Sequence, residues 1–208
     1  MLTSILSAVL ATQGPSAVSE ICEIHVWQTK NYLSASPAPY VAYGIVGSVL
    51  QAAHDSKFPV NSIQEIMERE LRPEALGPII ESLTWQSYLG ERRIHAIIEP
   101  EVVNKDRIKA LRSAQTRNST SNVPCYVEIY LSDQTFEGGF IKSHLFNNFT
   151  VRDFSFGGYA TGNAIVWSQL KEFPAQDEAG IPIATQNFIE AFRSNLGKFL
   201  EKKLKRTR

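Results

Sequence analysis

Pro124-Cys125-Tyr126-Val127-Glu128-Ile129-Tyr130-Leu131 decides the fold class. Its residues alternate, with Cys125, Val127, Ile129 and Leu131 on one side and Tyr126, Glu128 and Tyr130 on the other. A period of two belongs to a strand with one face buried. Phe140 to Phe154 repeats the pattern at greater length. There Ile141, Leu145, Phe149 and Val151 share one side, while Lys142, His144, Asn148, Thr150 and Arg152 lie mostly on the other. Ser132-Asp133-Gln134 reads as a turn between strands, and Gly138-Gly139 and Gly157-Gly158 read as breaks. Ala164-Ile165-Val166-Trp167 opens a further strand. Polar-out alternation of this kind predicts a mostly antiparallel sheet with one covered face.

The cover is supplied by the C-terminus. Thr185 to Lys205 places Phe188, Ala191, Phe192, Leu196, Phe199, Leu200 and Leu204 on one helical stripe. Upstream, Cys22-Glu23-Ile24-His25-Val26-Trp27 alternates as a strand, and Arg93 to Glu99 reads as another, ended by Pro100. Tyr40 to Asp55 has apolar residues near helical spacing and reads as a core helix. Ser62-Ile63-Gln64-Glu65 is a capping box that starts a second helix through Leu71, which Pro73 stops or kinks. Leu76 to Leu83 and Arg107 to Leu111 give shorter helical pieces, and Ala114 to Asn122 is a polar loop. The expectation is an α+β domain over residues 22–208, with helices on one face of the sheet.

Residues 1–21 read as a signal peptide. Leu2 to Ala11 is an apolar run too short to span a bilayer, which takes ~20 residues. Small residues follow it, as cleavage requires, at Val9-Leu10-Ala11 and Ala17-Val18-Ser19. No Lys or Arg precedes the run, so a start upstream of Met1 and a buried N-terminal helix are the alternatives. Ser19-Glu20-Ile21 before Cys22 does not match the signal for lipid attachment. With export, Cys22 and Cys125 are expected to form a disulfide; without it, a buried thiol pair is the expectation. Periplasmic or secreted localisation follows from the same reading.

Charge and motifs narrow the function. The 21 basic and 21 acidic residues balance, so there is no global attraction to nucleic acid. Basic residues crowd the C-terminal end at Lys198, Lys202, Lys203, Lys205, Arg206 and Arg208, as suits a helix C-terminus. His25, His54, His95 and His144 lack metal-ligand spacing. No nucleophile elbow, phosphate loop or cofactor motif occurs. Catalytic, cofactor-binding and metal-ligating residues are therefore expected to be none. Four residues make a candidate surface site: His25 and Trp27 on the first strand, His144 and Arg152 on a later one.

The residues Cys22-Glu23-Ile24-His25-Val26-Trp27, a second cysteine in Pro124-Cys125-Tyr126, and a Phe-rich strand ending Arg152-Asp153-Phe154 carry a resemblance. The chain resembles a group of uncharacterised exported proteins of Gram-negative bacteria. Its layout also looks faintly like periplasmic modules of the curli-secretion or transport-accessory lipoprotein type, a fold-level likeness that says little about chemistry. The function expected is that of a non-enzymatic envelope protein binding a partner protein or envelope component. A periplasmic enzyme with a site assembled from distant residues is the alternative, and a nucleic-acid-binding module a weaker one. No transmembrane segment is expected after the leader.

If the leader is a signal, intact-mass measurement on protein from a cell-envelope fraction will give a chain beginning between residues 12 and 22. A chain still starting at Met1 and recovered from the cytosol rejects the export expectation.

Overall fold

Six strands form one sheet in a computed structural model, which describes residues 21–29, 32–37, 60–138, 143–171 and 178–204. In chain order they are β1 (Ile21–Gln28), β2 (Leu33–Pro37), β3 (Arg93–Ile98), β4 (Tyr126–Gly138), β5 (Ser143–Asp153) and β6 (Ala160–Leu170). The helices are α1 (Val60–Glu70), α2 (Pro73–Glu81), α3 (Gln86–Leu89), α4 (Lys105–Ser113) and α5 (Ile181–Leu204). Residues 1–20 of the expected leader, the helix over 40–55, Ile141, Lys142 and the basic residues from 205 onward lie outside the described residues.

Neighbouring strands run β3-β1-β4-β5-β6, with β2 also paired to β4. β4–β5 and β5–β6 are antiparallel, as alternation and short connections predict. The pairings β1–β3, β1–β4 and β2–β4 are parallel, so the sheet is mixed. The reason is connection length. Helices α1, α2 and α3 lie between β2 and β3, and α4 lies between β3 and β4. Crossovers of that size return the chain parallel to itself.

Ser132-Asp133-Gln134, expected to turn, is strand. β4 runs straight through it, and the ladder with β5 shifts between Leu131 and Asp133. This is a β-bulge, which changes the phase of the alternation. Before it Val127, Ile129 and Leu131 face the core; after it Gln134 and Phe136 do. The bulge falls where β1 gives way to β2 along the other side of β4. There the Thr29 hydroxyl donates to the Ser132 carbonyl at 2.7 Å, so the interruption stays hydrogen-bonded although buried.

One face of the sheet carries the main core. Cys22, Ile24, Val26, Val127, Ile129, Leu131, Leu145, Phe149 and Val151 meet α2 and the α5 stripe there. Phe149 stands 5.9 Å from Phe192 and 5.3 Å from Phe199, ring centre to ring centre. Cys22 and Cys125 are disulfide-bonded, with Cα atoms 4.6 Å apart. The β1–β4 register explains why. Glu23 pairs with Tyr126, so the preceding residues stand side by side. Closing a loop of this length stabilises by about 4.7 kcal/mol at most on the chain-entropy account.

The stripe expected over Thr185 to Lys205 is helical from Ile181 and buries Phe188, Phe192, Leu196, Phe199 and Leu200. A polar chain also fixes where it sits. The buried Asn195 side chain donates to the Leu145 carbonyl at 3.0 Å and to Asn147, and accepts from the Ser168 hydroxyl at 2.7 Å. Sliding the helix would leave these buried groups unpaired, which costs more than each bond contributes. Phe192→Ala, at a fully buried ring, is expected to cost about 3–5 kcal/mol in a denaturant unfolding experiment. An unchanged midpoint would show that α5 does not hold the fold.

Candidate functional site

The opposite face of the sheet holds the chemistry. Tyr126, Glu128 and Tyr130 point there from β4, with Arg152 from β5 and His25 and Trp27 from β1. In the ladders His25 pairs with Glu128, and Glu128 with Arg152, so these three form a row across three strands. The connection from β3 to β4 closes over them. α4 is capped by Asn104, whose side chain accepts from the Arg107 amide at 2.7 Å. It then packs Ile108 and Leu111 with Trp27, Val103 and Tyr130.

Glu128 and Arg152 are fully buried. One Glu128 carboxylate oxygen accepts from the Arg152 guanidinium at 2.6 Å and from the Tyr130 hydroxyl at 2.8 Å. The other accepts from the Tyr126 hydroxyl at 2.8 Å and the Asn118 amide at 2.6 Å. Arg152 also donates to the Ala114 and Thr116 carbonyls, which ties the covering loop to the sheet. Burial is the main cause that pushes both phenols well above their usual pKa, so they remain donors.

Beside this network a cleft of about 490 Å³ opens to solvent. It is lined by the buried His25 and Trp27, by Glu23, Glu99 and Glu101, and by the loop residues Asn118, Ser119, Thr120 and Ser121. His25 Nδ1 faces Glu99 at 2.5 Å and its Nε2 faces Glu23 at 3.1 Å. Glu23 also accepts from the Ser121 hydroxyl at 2.5 Å. Burial alone would raise the Glu23 pKa. The Ser121 and His25 hydrogen bonds outweigh it and hold the carboxyl below its ordinary value of 4.5.

The Ser121 hydroxyl donates to the Glu23 carboxylate and not to a histidine. Both ring nitrogens of His25 are already engaged by carboxylates. Among the described residues, no three His, Cys, Asp or Glu side chains gather where they could hold a metal ion.

The four residues expected at a surface site thus separate. His25, Trp27 and Arg152 come together but are 5%, 2% and 0% exposed, so they floor and support a cleft instead of forming a surface. Arg152 cannot reach a nucleic-acid phosphate from inside an ion pair. His144 lies elsewhere, near the far end of β5, 5.3 Å from Trp167 and 6.0 Å from Phe146. That aromatic group continues onto β6, where Ile165 and Trp167 are 65% and 56% exposed. Glu99 and Ser121, which complete the cleft, lie 74 and 98 residues from their partners.

No protein family matches the chain, and no curated protein does. Several solved structures align with it, two of them over much of its length as follows. One is a hypothetical protein from Chlamydia trachomatis, with 11% identity, 89% of this chain and 92% of that chain covered, and a TM-score of 0.27. The other is a lipoprotein from Neisseria meningitidis, with 12% identity, 83% and 99% covered, and a TM-score of 0.21. Likenesses this loose fix neither fold nor function. Among the described residues, no helix is long and apolar enough to cross a membrane.

Because Glu23 titrates lower in the folded chain, its ionised form stabilises the fold. That contribution is complete above the unfolded carboxylate value and is lost as pH falls through the lower folded value. Stability curves of the wild type and Glu23→Gln should therefore differ most above about pH 5 and converge below pH 4.5. A difference independent of pH would mean that the Glu23 charge plays no part.

Proposed function

We propose that this chain is an extracytoplasmic binding module of the cell envelope, periplasmic or secreted, that holds a partner protein or an envelope component. The observation that carries the binding role is the exposure of Ile165 and Trp167, side by side on one face of a strand at the end of the sheet. Large apolar side chains grouped on a surface favour association. The Cys22–Cys125 disulfide supports the compartment, because such bonds persist where thiols are not kept reduced.

A second reading rests on the cleft around His25. A histidine held between two carboxylates at the base of an open recess suits recognition of a small polar molecule, or proton transfer to one. The two readings assign function to opposite regions of the sheet, so variants separate them.

Purified protein should sediment with isolated cell envelopes. Trp167→Lys should release it, while His25→Ala should leave sedimentation unchanged. The reverse pattern transfers the function to the cleft, and failure of the wild type to sediment rejects the binding role.

A further inference from the structure

Edge strands are normally guarded, because their unpaired backbone groups invite another strand. The usual guards are charged side chains, proline, bulges and short length. β6 has none of them. Ala160-Thr161-Gly162-Asn163-Ala164-Ile165-Val166-Trp167-Ser168-Gln169-Leu170 contains no charged residue and no proline. Its 11 residues keep an unbroken register with β5. Among the described residues, no strand pairs with its outer side.

The two faces beside that edge differ in chemistry. On one, Ile165 and Trp167 are exposed. On the other, α5 lies over the strand and brings lysines to it. Lys198 Nζ donates to the Ser168 hydroxyl at 3.0 Å. The Lys203 stem lies against Gly162 so closely that a Cβ there would meet its Cδ at 2.8 Å. Neither lysine pairs with a carboxylate among the described residues.

From this we infer that the β6 edge takes up an extended segment of a partner protein, with apolar side chains on one face and acidic side chains on the other. The added strand lies about 4.8 Å from β6 and shares its backbone hydrogen bonds. Its side chains alternate, so one set covers Ile165 and Trp167 while the other approaches Lys198 and Lys203. A second copy of this chain fits less well. Antiparallel β6–β6 pairing about a two-fold axis puts both α5 helices on the same face, so lysine approaches lysine across the junction.

The inference rests on the binding role proposed above and adds the mode and the partner's chemistry. The probe is a synthetic peptide alternating Glu with Val, titrated calorimetrically into the full-length, disulfide-bonded protein. A peptide alternating Lys with Val is the control. The Glu peptide should bind, and the Lys peptide roughly tenfold more weakly or not at all. Lys198→Glu should reverse that order, and Ile165→Lys should weaken binding of both. Both positions are exposed, and circular dichroism verifies that the variants fold. Absence of saturable binding, equal binding of the two peptides, or indifference to Ile165→Lys overturns the inference. So does wild-type self-association that Ile165→Lys abolishes, which gives the edge to a second copy. If the peptides fail while Trp167-dependent envelope sedimentation persists, only strand addition is wrong. If both fail, the binding role fails with it.

Discussion

A carboxylate with no access to water sits at the centre of this sheet, and much of the architecture answers it. Removing the Glu128 charge from solvent without partners would cost several kcal/mol. Four donors surround it: Arg152, Tyr126, Tyr130 and the Asn118 amide. Two belong to β4 itself, one to β5 and one to the loop that crosses above. The loop is held in turn by Arg152 through two carbonyls. A strand, its neighbour and its covering loop are therefore positioned by one ionised group. Loss of a single donor is more damaging than absence of the whole network, because it strands a buried charge.

That network also explains what alternation could and could not reveal. The apolar phase of β4 and β5 was legible, because Val127, Ile129, Leu145, Phe149 and Val151 meet a helix, as the period of two requires. Glu128 and Arg152 fall on the polar phase, which ordinarily faces water. They are buried because the second face has its own cover, and period alone does not distinguish a satisfied polar interior from a solvated surface. The bulge at Leu131/Asp133 hid the length of β4, since a phase change looks like a turn. The parallel pairings were illegible for another reason. They depend on how long connections fold back, which leaves no local trace in Cys22 to Trp27 or Arg93 to Glu99.

The candidate sites divide along the same line. Cys22 and Cys125 were legible as a pair because each lies on the apolar phase of its own segment. His25 and Trp27 were legible as unusual residues, but the carboxylate and hydroxyl that give His25 its setting come from segments far away in sequence. The exposed character of β6 was hidden too. Ile165 and Trp167 sit in an alternating strand like any other, and only strand order shows that nothing described lies beyond them.

The join between β1 and β4 also bears on the path of folding. β4, β5 and β6 follow one another and form their ladders from contacts close in sequence. β1 pairs only with strands far downstream, β3 and β4, and its join to β4 spans 103 residues. Contacts so distant raise the mean sequence separation and slow the search for the native topology. The antiparallel half can thus form a template on which the N-terminal strand arrives last. With the cysteines joined, that long search is already confined, and an unfolded excursion of the chain keeps its two halves within reach of each other.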